Sequence, residues 1–170
     1  MEDPIISGVV TDMTEAKVTV FGVPDRPGVS AALFEPLADA NVNVDMIVQN
    51  TSTEGTTDIS FTMPMADMAE AEAIVRRVAD EIGATGVTHD NDIAKVSLVG
   101  AGMKSSPGIA AKMFRILADE GVNIEMISTS TIRVSVVTSA GNMELAARSL
   151  HTAFGLDSAD EYSAPLPERT

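Results

Sequence analysis

Asp25 stands just before Pro27-Gly28 and a run of helix-forming residues, and Gln49 ends an alternating segment that follows that run. A carboxylate, a strand-to-helix turn and a side-chain amide in this order could hold a small zwitterion. Asp25 would accept from an ammonium group. The unpaired N–H groups opening the helix would face a carboxylate, and Gln49 would bond a hydroxyl. Each residue also has a purely structural role. Asp25 can cap the helix and Pro27-Gly28 can simply shape the turn. For any single position, these plainer roles weigh slightly more on the residues alone.

Other chemistry is poorly supported. Gly100-Ala101-Gly102 follows a strand and precedes a helix, but Ser105 stands where a dinucleotide loop needs its third glycine, and Glu125 is a weak match for a ribose-binding acid. Lys104-Ser105 lacks the glycine frame of a phosphate loop. His89 and His151 are isolated, so neither builds a metal site or a triad. The carboxylates are scattered over turns and exposed helix faces. No metal, no cofactor and no catalytic residue is expected.

The elements that position Asp25 and Gln49 occur twice. Ala16-Lys17-Val18-Thr19-Val20-Phe21-Gly22 returns as Ala94-Lys95-Val96-Ser97-Leu98-Val99-Gly100, and Asp25-Arg26-Pro27-Gly28 as Ser105-Ser106-Pro107-Gly108. Asn41-Val42-Asn43-Val44-Asp45-Met46-Ile47 returns as Gly121-Val122-Asn123-Ile124-Glu125-Met126-Ile127. A repeat this long is a duplicated domain.

Within the first copy, Lys17–Gly22 alternates as a half-buried strand. Pro27 suits a first helical turn, and Leu33, Phe34, Leu37 and Ala38 mark a buried helix face that Pro36 should kink. Val42–Val48 and Asp58–Thr62 read as a hairpin pair, Met68–Ile82 as a second amphipathic helix and Gly86–Thr88 as a short strand. The second copy predicts helix Ser106–Glu120, strands Asn123–Thr129 and Ile132–Thr138, and helix Met143–Phe154.

The order is β-α-β-β-α-β, an α+β fold of two ferredoxin-like βαββαβ modules with antiparallel sheets. The first module covers 16–91 and the second 92–156, with a flexible acidic tail over 157–170. The second copy lacks its last strand. The spare strand 5–11 can supply it, with the first module inserted between, or it can form a hairpin with the strand that follows. The nested form is the one we favour.

Composition bounds the partners. The chain has 170 residues, 45% of them hydrophobic, enough for two small cores of mainly aliphatic residues. Cores this small favour packing against the twin module or a second chain. A net charge of −14, from 25 acidic and 11 basic residues without a basic cluster, argues against nucleic acid. There is no cysteine, the N-terminus lacks a secretory pattern, and no apolar run approaches the roughly 18 residues of a membrane span. A cytoplasmic protein without membrane contact is expected.

The Pro-Gly turns and the Asn-Val/Ile-Asp/Glu-Met-Ile strands resemble tandem ACT domains. Over about residues 5–155, segments such as Asp45-Met46-Ile47-Val48-Gln49-Asn50, Gly55-Thr56-Thr57-Asp58-Ile59 and Ser128-Thr129-Ser130-Thr131-Ile132-Arg133-Val134 are similar to the C-terminal regulatory region of bacterial aspartokinase. The length and the start at Met1 resemble the separate regulatory (β) subunit of an α₂β₂ aspartokinase, or an equivalent fragment.

The resemblance implies a non-catalytic allosteric chain without a kinase domain, in a homodimer with modules side by side and bound to catalytic α subunits. It would bind threonine between chains, with lysine joining in concerted inhibition of aspartate-family biosynthesis. Matched by motif, the threonine cradle comprises Asp25, Gly28, Ser30 and Gln49 of one chain, closed by Asn123 and Ile124 of the other. Asn43, Val44, Ser52, Pro107, Gly108, Ala110 and Ser130 form a second tier. Ala110 departs from the hydroxyl residue expected there, and the Ser52–Gly55 turn is short. A scaffold that only holds catalytic subunits together, or a freestanding amino-acid sensor for another partner, are the alternatives.

Overall fold

The computed structural model describes residues 5–52 and 54–157. The first module runs β2 (Glu15–Pro24), α1 (Val29–Asp39), β3 (Ile47–Gln49), β4 (Thr56–Pro64), α2 (Met68–Ile82) and β5 (Gly86–Asp90). The second runs β6 (Ile93–Ala101), α3 (Gly108–Asp119), β7 (Met126–Thr129), β8 (Arg133–Ser139) and α4 (Met143–Ala153), and β1 (Ile5–Asp12) precedes both.

Two 4-stranded antiparallel sheets result, ordered β3-β4-β2-β5 and β1-β6-β8-β7. β1 pairs with β6, Val10 opposite Ser97 and Asp12 opposite Lys95, so the leading strand joins the second sheet and the first module lies between them in the chain. The hairpin alternative is not what the chain adopts. No described helix is long and apolar enough to cross a membrane.

Strand alternation decides each core. Ala16, Val18 and Val20 point from β2 toward Leu33 and Leu37 of α1 and Ala71, Val75 and Val78 of α2, all buried in one cluster. Val96 and Leu98 repeat this against Ile109, Met113, Leu117, Ala146 and Leu150. Phe34 meets Phe61 edge-on at 5.2 Å, one of the few aromatic contacts in a largely aliphatic interior.

Helix α2 has the bounds its periodicity predicts, whereas several other boundaries shift. Of the expected Val42–Val48 strand only Ile47 and Val48 are regular, in a strand that ends at Gln49. Asp45 N–H donates to Thr62 O and Thr62 N–H to Met46 O, both at 3.0 Å, so two residues face one, and the Met46 N–H is left to Thr62 Oγ1 at 3.0 Å. The twin strand likewise shortens from Asn123–Thr129 to β7.

Pro36 sits inside α1 without ending it. Neither proline opens its helix from within the first turn: Gly28, at φ 90°, caps α1, and Pro107 caps α3. Helix α2 spans 15 residues and α4 only 11, because Gly155 turns left-handed at φ 72° a helical turn earlier than the equivalent stop at Gly83. Of the predicted tail, only Asp157 falls within the described residues, where it accepts from Thr152 Oγ1 at 2.6 Å.

The faces turned away from the helices meet each other at one end. Met46, Ile93, Met126 and Val137 form a third, small buried cluster that draws on both modules.

Candidate functional site

The β2–α1 connection is built on two glycines. Gly22 interrupts the β2–β4 register at φ 61°, and its N–H donates to Asp58 Oδ1 at 2.9 Å. An added Cβ there would lie 2.5 Å from Thr85 Oγ1, so any larger residue must displace the Thr85 side chain. Gly28 takes φ 90° with open space around the missing Cβ, which frees the backbone beside it for an approaching ligand.

Asp25 follows β2, its N–H bonded to Gly55 O at 2.9 Å. The α1 cap is Gly28 and has no side-chain cap bond, so Asp25 does not cap the helix. Its exposed carboxylate keeps its acceptor sites open among the described residues. Ser30, in the first turn of α1, donates to Gln49 Oε1 at 3.2 Å. Helix start and sheet edge are thereby tied together, with Asp25 and Gly28 on the turn that leads into the helix. Asn43 is exposed, and Val44 packs against the first core.

The second-module positions have structural duties too. Asn123 O accepts from buried Thr138 Oγ1 at 2.8 Å, which pins the approach to β7, and Ile124 packs on the second core. Pro107 and Gly108 open α3, and Ala110 is half-buried in its first turn. Ser130 Oγ accepts from the Ile132 N–H at 3.3 Å and Ser52 Oγ from the Glu54 N–H at 3.0 Å, so both serines shape their own hairpin turns. Within one chain, no described hydrogen bond joins Asp25, Gly28, Ser30 or Gln49 to Asn123 or Ile124.

A polar seam between the modules completes the geometry. Lys17 Nζ meets Glu125 Oε1 at 2.6 Å, and its repeat equivalent Lys95 bonds Asp45 and lies 3.5 Å from Glu15 Oε2. Each lysine thus reaches the acidic loop of the other module. Burial pushes the Glu15 carboxyl above its usual range, against the pull of Lys95 and with the push of Asp45. Burial works the same way on Asp45, but the Lys95 ammonium outweighs it and holds that carboxyl low. Lys95 is raised, since Asp45 and Glu15 overcome its own desolvation.

Known proteins share this fold. ACT-domain models match residues 17–83 and 96–154. A crystal structure of aspartokinase alpha and beta subunits overlays with TM-score 0.83 at 49% identity, covering 88% of this chain and 99% of that one. The chain belongs to the aspartokinase family, as a tandem pair of regulatory ACT domains. The ligand-free regulatory subunit of aspartate kinase from Thermus thermophilus agrees, with TM-score 0.84, 40% identity and coverage of 88% and 98%.

The aspartate kinase of Pseudomonas fluorescens is 54% identical over 157 residues, and the aspartokinase of Corynebacterium glutamicum 48% over 163. The chain spans 38% and 39% of those proteins' lengths.

For this tandem ACT chain, sequence reasoning missed the seam. Its signal was present, since Lys17/Lys95 and Asp45/Glu125 keep their charges in both copies. Only the packing of one module on the other shows that each lysine pairs with the opposite copy.

Proposed function

We propose that this chain is a non-catalytic allosteric subunit of aspartate kinase. It binds threonine between two copies of itself, and lysine acts in concert. Asp25, exposed and with its carboxylate unpaired among the described residues, carries the reading: it supplies the acceptor a free amino acid's ammonium needs on the turn into a helix start suited to its carboxylate. The choice of threonine rests on family resemblance.

Edge strands β3 and β7 leave Ile47 52%, Val48 38% and Ile127 44% exposed, an apolar margin suited to a second copy. Asn123 and Ile124 of that copy would close the cradle. A ligand bridging two chains stabilises the pair by mass action. If the paired form restrains the catalytic subunits, inhibition follows as coupling between sites. The chain then needs no reactive group of its own.

Sedimentation velocity of the chain, titrated with threonine and separately with lysine, tests this. A threonine-dependent tightening of a dimer is expected. A species indifferent to every amino acid would move the reading to a ligand-independent scaffold.

A further inference from the structure

The duplication provides an internal control for a feature present in one module only. Aligning Met68 with Met143, the first residues of α2 and α4, places Phe154 where the first module has Ala79. The last turn of α2 carries Ile82, buried in the first core, and α4 has no counterpart to that turn. A cavity of about 660 Å³ lies at the end of α4, lined by Ile6, Ser106, Gly108, Ile109, Lys112 and Phe154.

Its chemistry is polarised. Ile6, Ile109 and Phe154 supply an apolar wall, and the first turn of α3, which has no side-chain cap, stands at the rim with Ser106. Lys112 occupies the place of Ala32 in the first module and holds its Nζ 4.5 Å over the Phe154 ring. Lys17 and Lys95 are ion-paired, yet among the described residues no carboxylate lies within ion-pair distance of Lys112, in a chain with 25 acidic residues. The lining has no Asp or Glu.

We propose that this cavity is a second ligand site, for a small amphipathic monocarboxylate. The acid group would sit between Lys112 and the start of α3, and the hydrocarbon body against Ile6, Ile109 and Phe154. A primary amine is repelled by Lys112, and a free amino acid finds no carboxylate to pair with its ammonium. Inorganic phosphate leaves the apolar wall unused. Gly108 is the single residue shared with the effector positions above, and the site does not depend on threonine binding elsewhere.

Amide NMR titration of the full chain with hexanoate, and with hexylamine and hexan-1-ol as equal-length controls, tests the proposal. Hexanoate should shift the resonances of Ile6, Ser106–Lys112 and Phe154 saturably, and more tightly than either control. Lys112→Met should weaken hexanoate about fivefold, Lys112→Arg should preserve it, and a larger side chain at Ala153, which also lines the cavity, should abolish it in Ala153→Leu. Because Lys112 is exposed, Lys112→Met should melt like the parent chain. Unsaturable or dispersed shifts, equal binding of hexylamine, or an unaltered affinity in Lys112→Met would each overturn the site.

Discussion

Lys17 Nζ lies 2.6 Å from Glu125 Oε1, so a strand of the first ACT domain is bonded to the loop before β7 of the second. Lys95 and Asp45 make the reciprocal link, and the pair of bridges relates the modules by an approximate two-fold. The copies differ at one neighbour: Glu15 of the first stands at the position of Ile93 in the second. The Lys95 side therefore carries two carboxylates and the Lys17 side one.

That asymmetry sets the cost of breaking each bridge. A double-mutant cycle of Lys17→Met and Glu125→Gln should give a coupling of about 1 kcal/mol, as for a pair that solvent still reaches. Lys95→Met should cost about 2 kcal/mol, because it leaves Glu15 and Asp45 facing each other in a partly buried place. Urea unfolding of the variants measures both; equal losses would show that the third charge is inert.

The same cluster has opposing pH signatures. Asp45, held low, contributes stability above the ordinary aspartate range and loses it as pH falls through its depressed folded value. Glu15, pushed up by burial, is an unfavourable charge at neutral pH, and its cost is relieved as pH falls through its raised value toward the ordinary glutamate range. Glu15→Gln should thus be neutral or stabilising near pH 7, by up to about 1 kcal/mol. Its advantage should shrink on acidification. Melting temperatures across pH compare the two chains, and a Glu15→Gln variant less stable at neutral pH contradicts this account.

Gly22 and Gly28 separate two reasons for a glycine. Both have positive φ, but only at Gly22 does a new Cβ strike Thr85. Gly28→Ala should cost about 1 kcal/mol from the backbone alone, and Gly22→Ala about 2 kcal/mol or more. Adding Thr85→Ala should recover only the steric part of the Gly22 loss. Thermal unfolding of the three variants checks the order.

Asp25→Ala should leave the melting temperature within about 2 °C of the parent, since the fold uses only the residue's N–H. Threonine affinity, read by calorimetry, should fall at least about tenfold, because a charge-assisted bond to the ammonium is lost. Unchanged affinity would remove the ammonium contact from the proposed cradle.

Much of the fold was legible from neighbouring residues. The alternation of Ala16, Val18 and Val20, the helical spacing of Ala71, Val75 and Val78, and their return in the second copy are local patterns, and local patterns define elements and cores. The places of Asp25 just past the end of β2 and Gln49 at the end of β3 were legible for the same reason, as both residues flank elements of one module. Irregular segments were less so: the Thr62 hydroxyl that takes the Met46 N–H acts across strands and leaves no periodic trace.

By itself the sequence determined that the chain is a duplicated βαββαβ module, which helices it uses, and which residues flank the turn at Asp25. Tertiary structure alone decided that Ile5–Asp12 pairs with Ile93–Ala101, that Lys17 and Lys95 exchange acidic partners between modules, and that the early stop of α4 leaves a cavity under Lys112. The division is physical. Side-chain periodicity follows from the geometry of one strand or helix, whereas pairing between segments far apart in the chain is settled by which arrangement buries the most apolar surface while leaving the fewest charges unpaired.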